Sequence, residues 1–477
     1  MMVYVRRDAW SLQQPWDDVF LWYARAITKL KKLPESNPTS WSYQASIHGH
    51  EPESQRSQYW NQCQHGTSFF LPWHRGYLGW FEQIVRATIK ELEGPEDWAL
   101  PYWNYSSPVN PNALVIPQAF REPNLPDGSE NPLLIEGRNP GVNAGEPVAD
   151  EEEVSVAALD VTPFEGVGRG GSTGFGGPAV GFHHEPGSPG AVEATPHNSI
   201  HVAVGGLMAA FSTAPLDPIF WLHHANIDRL WEIWRKKAGH VDPTGSWLSF
   251  PFDIHDAQSN PIKFTPQEML PTKSAPLTYE YDSLTDPREE VPPSEGGPAP
   301  SPAGQEPEAI MAEQTPSASV GPPEMVGATE GGLDLSAHDP STATLAVSEP
   351  QSPGIQALIA DPNVPDPHVY LNVENVTSES PSRSYGVYLN VPSGQSPAEH
   401  PELLAGVLAP FGSERAERPD DEHGGLHFTF DITKLVDAER AQGNWNPEAV
   451  QVTFQPRGRS REPSPLKVGR VSIYYHR

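Results

Sequence analysis

Between Glu289 and Ala360 the chain carries eleven acidic residues and twelve prolines, but no lysine, arginine, phenylalanine, tryptophan or tyrosine. A stretch with one sign of charge and no aromatic ring cannot bury enough apolar surface to offset its ordering entropy. It reads as a tether, extended by proline and self-repulsion. The tether splits the 477 residues into two bodies, each long enough for its own core. The expected layout is a first domain over 1–285, an acidic linker over 286–362 and a second domain over 363–477.

The two bodies differ in pattern. Thirteen of the 14 tryptophans precede residue 250. DVFLWYARAITKL (18–30) puts Phe20, Trp22, Ala26 and Leu30 near one helical face. After Pro72, WHRGYLGWFEQIVRATIKELEG keeps apolar positions at helical spacing and stops at Gly94. PLDPIFWLHHANIDRLWEIWRKK offers Asp217 as an N-cap, with Phe220, His224, Ile227 and Trp231 in register. The first domain is therefore expected to be mainly α, with a Pro/Gly-rich looped stretch over 105–190. GVGRGG (166–171) fits GxGxxG but follows no strand and opens no helix, so it argues for no dinucleotide site. Beyond residue 363, HVYLNVENV, YGVYLNVP, HFTFDIT, AVQVTFQP and KVGRVSIYY are short β-branched and aromatic runs parted by Pro, Gly and Ser. They predict an all-β antiparallel sandwich.

Charge and cysteine narrow the partners. The formal net charge is −30, against a nucleic-acid groove or an anionic membrane surface as partner. Much of that charge lies in the tether and needs no ligand to explain it. No run of about 18 apolar residues predicts a membrane span. The N-terminus lacks an apolar leader segment, which leads to the expectation of a cytoplasmic protein unless a partner exports it. The single cysteine, Cys63, rules out an intramolecular disulfide framework and thiolate metal sites.

Ten of the 18 histidines fall between His48 and His224, beside large apolar residues. His197 and His201 are four apart, so a helix would send both rings from one face. Burying many imidazoles without partners is costly, and shared metal ions would remove that cost. Imidazole suits zinc, copper, iron and nickel. No Asp or Glu stands at ligand spacing inside these clusters; Glu193 and Asp228 are offset by one turn. An all-imidazole set favours copper among the four.

Four segments carry a family resemblance: HG-x-x-P (48–52), His65-x8-His74 running into FLPWHRGYLGWFE (70–82), PHNSIH (196–201) and DPIFWLHHANIDRLWEIW (217–234). Together they resemble the tyrosinase family of type 3 copper proteins, over roughly residues 1–285. The resemblance implies a four-helix core around two copper ions, with O2 as co-substrate. It implies that His48, His65 and His74 hold the first copper, with His50 a neighbouring candidate in the same loop. It implies that His197, His201 and His224 hold the second, leaving His223 as a packed or hydrogen-bonded neighbour and His183 and His184 as loop residues. Cys63, two before His65, resembles the family cysteine that forms a thioether to that histidine. Glu193 and Asn198 resemble the pair that holds a water for deprotonating a monophenol; a phenol with pKa near 10 does need a general base. Phe220, one turn before His224, is expected to pack on a ligand ring.

The back half is similar to the C-terminal domain that covers the copper site in plant, fungal and molluscan relatives, and Tyr279-Glu280-Tyr281 resembles the Y-x-Y motif closing the catalytic domain. The implied function is copper-dependent oxidation of small phenols, both o-hydroxylation of monophenols and oxidation of o-diphenols to o-quinones. The implied state is latent until a protease cuts the exposed tether. Two alternatives stand beside it: a catechol or o-aminophenol oxidase without monophenolase activity, and a hemocyanin-like O2 carrier.

Overall fold

The structure is a computed structural model of the 477-residue chain. It describes residues 2–50, 57–181, 187–291, 322–348, 350–351, 367–380, 382–413, 425–461 and 463–476. Pro52, His183, His184 and most of the expected tether lie outside the described residues.

Five helices build the first domain: α1 (Asp18–Leu30), α2 (Trp41–His48), α3 (Phe70–Glu91), α4 (Ser199–Val204) and α5 (Ile219–Arg235). The Asp17 carboxylate caps α1 by accepting from the Val19 amide at 2.9 Å. Its buried face is Phe20, Tyr23, Ala24, Ala26, Ile27 and Leu30. Trp22, expected on that face, is only half-buried and lies under the Arg25 guanidinium. Helix α3 is buried along most of its length and packs on both α1 and α5, so it forms the spine of the domain. Pro72 sits in its first turn, where a missing N–H costs nothing.

Upstream of α4, backbone φ −146° and ψ 124° at Thr195 break the helix. Helical backbone resumes at Pro196 and runs into α4, so His197 and His201 lie one turn apart on one face. Strand β1 (Tyr4–Arg6) pairs in parallel with β6 (Tyr279–Tyr281), bringing the two ends of the domain together. Two short pairs, β2 (Glu165–Gly166) with β3 (Gly177–Pro178) and β4 (Phe252–His255) with β5 (Pro261–Phe264), and a one-turn helix α6 (Pro266–Met269) complete it. Among the described residues no helix is long and apolar enough to cross a membrane.

The second domain is two packed sheets plus helix α7 (Thr433–Gln442). One sheet runs β13 (Leu426–Asp431), β10 (His368–Thr377), β15 (Leu466–His476) and β7 (Glu324–Ala328), with β8 (Leu333–Leu335) also on β15. The other runs β12 (Leu404–Leu408), β11 (Tyr385–Leu389), β14 (Val450–Pro456) and β9 (Ser341–Leu345). All described pairings in both sheets are antiparallel, and inward residues such as Leu371, Val387, Val452, Phe454 and Ile473 form one core.

Both ends of the expected linker need correction. Strands β7, β8 and β9 fall inside 286–362, and Val326, Leu335, Ala343 and Leu345 on them are buried. These strands are short and poor in large side chains; the neighbouring strands supply their backbone partners. At the other end, Glu290 belongs to the first domain. Its carboxylate accepts from Asn104 Nδ2 at 2.9 Å and Ser107 Oγ at 2.5 Å and faces Arg229.

Candidate metal centre

Four helices and one loop deliver seven buried histidines to a single chamber. His48 ends α2, His74 lies one turn into α3, His197 and His201 come from the turn into α4, and His223 and His224 come from α5. His65 comes from the loop before α3. They sort into two groups, His48–His65–His74 and His197–His201–His223–His224. Within each group one ring nitrogen per residue lies within 4.8 Å of the others. His74 and His224 stack at 4.5 Å between centroids, joining the groups face to face.

The outer ring nitrogens are anchored. Nδ1–H of His48 donates to the Phe211 carbonyl at 2.8 Å, that of His74 to Phe70 O at 2.8 Å and that of His201 to Met208 O at 2.7 Å. His197 Nδ1–H donates to Asn198 Oδ1 at 2.8 Å. Each such bond fixes the tautomer that carries its lone pair on Nε2, the form in which a histidine binds a metal. Gly49 is required here because a Cβ would lie 2.6 Å from the Phe211 oxygen that anchors His48.

The residues present fit metal ions. Nε2 of His74, Nε2 of His197 and both nitrogens of His65 are buried with no hydrogen-bond partner among the described residues. His201 Nε2 and His224 Nε2 are 3.3 Å apart, long for a hydrogen bond. Two donors about 2.0–2.1 Å from one tetrahedral ion would stand about 3.3 Å apart. Burial, reinforced by the other imidazoles, holds His65, His74, His201 and His224 well below the usual histidine range. Burial takes His197 down to about 3. All are thus neutral donors at pH 7, as metal binding requires. Neither group includes a carboxylate.

The other residues singled out by sequence divide into three kinds. Glu193 is buried near the first group, and both its oxygens accept the Gly66 amide, at 2.9 and 3.0 Å. Burial pushes its carboxyl up to about 8. Asn198 stands at the N-cap of α4 without capping it; its side chain is engaged by His197 instead. Cys63 is fully buried beside this region. Phe220 packs 4.1 Å from the His224 ring and 5.3 Å from His48, touching both groups.

Asp228 lies outside the chamber and binds no metal group. Its carboxylate accepts from Arg75 Nε at 2.5 Å, Arg6 Nη1 at 3.3 Å, Tyr281 Oη at 2.5 Å and Tyr279 Oη. It therefore ties β1 and β6 to α3 and α5.

Sequence reasoning missed two aromatic residues. Phe211 stacks on His65 at 4.3 Å and 12°. Phe411, from the loop after β12 in the second domain, is buried in the chamber. It stacks on His201 at 4.0 Å and 14° and meets His65, His197 and Phe211 edge-on. Gly412 allows this approach: it has φ +83°, and a side chain there would run into the Phe211 ring. A phenylalanine in an Ala-Pro-Phe-Gly loop carries no local signal that sets it apart.

Fold and site thus define a class: a helical protein with a paired, all-histidine metal chamber, plugged by a β-domain from the same chain. Comparison with known proteins agrees. The family model described as the common central domain of tyrosinase matches residues 38–163 and 171–237, and one described only as a domain of unknown function matches 322–476. Tyrosinase HcTyr1 from Hahella sp. is 32% identical over 98% of both chains. The chloroplastic polyphenol oxidase of Malus domestica is 28% identical over 58% of this chain, which spans about half of that relative (48%). Latent apple tyrosinase shares the fold over 100% of this chain and 98% of its own, with TM-score 0.63 at 20% identity. Latent aurone synthase shares it over 100% of this chain and 91% of its own, with TM-score 0.62 at 22% identity.

This chain belongs to the tyrosinase family. It is a copper-dependent phenol-oxidising oxidoreductase whose catalytic domain is joined to a C-terminal β-domain.

Proposed function

We propose that the chain o-hydroxylates monophenols and oxidises o-diphenols to o-quinones with O2, and that its second domain keeps it latent until that domain is displaced or cut free. The observation that carries this reading is Phe411. An aromatic ring lies flat on His201 among the histidines of both groups, in a space that a phenol would fill. Latency follows, because substrate and Phe411 cannot share that space.

His48, His65 and His74 would hold one copper and His197, His201 and His224 the other. The bound coppers supply the redox chemistry with O2, which no side chain in the chamber can supply. The protein's own groups bind and deprotonate. With Phe411 withdrawn, the His201 face and the Phe211 edge orient the incoming ring. Glu193 takes the phenolic proton through a water it holds together with Asn198. Its carboxyl, raised to about 8, is a stronger base than an ordinary carboxylate and closer to a phenol's pKa of about 10, and it accepts that proton in its ionised fraction, which grows as pH rises toward 8. Asn198 Oδ1 is engaged by His197, which leaves the Nδ2 group as the donor to that water. A thioether from Cys63 to His65 would fix the one ligand that comes from a loop and lacks a carbonyl anchor in the described structure.

The test is oxygen uptake by copper-loaded full-length protein with tyrosine, tyramine and catechol, for the natural chain and for Phe411→Ala. The expected result is at least a tenfold gain for catechol and measurable uptake with a monophenol in the variant. No gain in the variant would refute the plug. Uptake with catechol alone would leave a diphenol oxidase without monophenolase activity.

A further inference from the structure

The second histidine group contains one donor more than its assigned copper uses. His223 is fully buried, and neither of its ring nitrogens has a hydrogen-bond partner among the described residues. A structural core histidine does not look like this: a buried neutral imidazole normally places its N–H on a carbonyl, as His48, His74 and His201 do here. Nor is its position remote. Its ring stacks over His197 at 5.2 Å and 23°, lies 4.9 Å from His201 and 5.0 Å from His224, and is backed by Tyr105 at 5.6 Å. One of its nitrogens falls within 4.8 Å of the donor atoms of His197, His201 and His224. The first group has three histidines and, among the described residues, no such spare.

We propose that His223 is a fourth donor of the second copper site, held in reserve, which keeps the ion bound when His224 is displaced. This rests on the dicopper reading above. Two neighbouring residues of one helix could serve one ion here because a nitrogen of each falls within 4.8 Å of the donor atoms of His197 and His201. With four neutral imidazoles in reach, His223 could take the place of His224 so that three imidazoles would still hold the ion, with no charge added to the chamber. The arrangement makes the two copper sites unequal: the second survives loss of a ligand, whereas the first does not.

The experiment is copper stoichiometry of the full-length protein after reconstitution and desalting. The natural chain must bind two ions per molecule; fewer would refute the dicopper reading itself. Given two, His74→Ala is expected to bind one and His224→Ala still two, with His223→Phe/His224→Ala falling to one. Equal loss in His74→Ala and His224→Ala overturns the proposal. Should His224→Ala fail to fold by circular dichroism, His223→Phe alone decides, since the phenyl ring keeps the stacking on His197 and Tyr105. A chelator is then expected to strip the second copper at least tenfold faster than from the natural chain, and an unchanged rate overturns the proposal.

Discussion

Glu193 and the chamber histidines are displaced from their ordinary ionisation in opposite directions by one cause, burial. For the histidines the folded pKa lies below the unfolded one. Their contribution to stability is present above about 6.5 and is lost as pH falls toward the folded values, about 3 for His197. Acid therefore removes copper and fold together. Bound copper, measured by chelator capture, is expected to hold from pH 7 to below 6 and to be released as pH drops further. For Glu193 the folded pKa is raised, so its contribution is present below about 4.5 and lost as pH rises through about 8. Glu193→Gln cannot ionise. It is expected to narrow the fall in thermal stability of the copper-free protein between pH 6 and 9. It is also expected to lower monophenol turnover at least tenfold while changing diphenol turnover less than threefold. A proportional loss of both would remove Glu193 from the proton-transfer role.

Most of this scale was legible in the sequence. His197 and His201 stand at helical spacing and His223 and His224 lie inside an apolar helix, whereas the grouping of His48, His65 and His74 came only with the family resemblance. His223 was legible only as a neighbour of His224. That its nitrogens find no carbonyl depends on where α4 and the loop to Tyr105 lie, which spacing does not encode.

At the scale of elements, two of the four histidine-bearing helices, α3 and α5, are held in register by charge buried away from the chamber. Burial alone would raise the Asp228 carboxyl, but Arg75 and Arg6 hold it below its usual range. Arg6 also pairs with Glu82 at 2.6 Å and lies 3.5 Å over the Tyr279 ring. All four charged members of this cluster, Arg6 on β1, Arg75 and Glu82 on α3 and Asp228 on α5, are fully or nearly fully buried. Removing one member leaves uncompensated charge in the interior, typically a loss of about 3–5 kcal/mol. Asp228→Ala is accordingly expected to lower the denaturation midpoint strongly, whereas a substitution at half-buried Asp253, paired with Lys263 at the surface, is not. Because the Asp228 pKa is depressed, its stabilising contribution is present above about 3.8 and lost below it as pH falls. The helices around this cluster were readable from periodicity. Strands β7, β8 and β9 were not, because a short strand such as Ser341–Leu345 acquires its identity from the edge it completes. The role of Asp228 was equally hidden: its one-turn offset from His224 put it outside ligand spacing but named no partner, and only the return of β6 beside β1 brings Tyr279, Tyr281 and Arg6 onto it.

At the scale of the whole molecule, the net charge of −30 conceals a local reversal where the two domains meet. The loop after β14, Pro456 to Arg461, carries three arginines at alternate positions, and each grips the first domain. Arg457 reaches Glu152 at 3.2 Å and Asp150 at 3.7 Å. Arg459 pairs with Glu146 and donates to Pro147 O at 2.7 Å. Arg461 donates to Arg138 O at 2.8 Å and Glu136 O at 2.9 Å. Across the interface Arg169 returns the pairing to Glu374 at 3.4 Å. Exposed ion pairs are individually weak, but these act together, alongside the buried Phe411. The tether and the grip are then separable: the tether sets the local concentration of the lid, and the grip sets whether it stays down. Cutting the chain between residues 292 and 321 is therefore expected to leave the two fragments co-eluting and diphenol oxidation near its latent level at low salt. Arg457→Glu with Arg459→Glu sets like charges against Glu146, Asp150 and Glu152. That variant is expected to oxidise catechol at least fivefold faster than the natural chain without any cleavage, and to release the lid on cleavage. If the natural chain separates on cutting alone, the tether is what holds the lid, and the arginines merely decorate the interface.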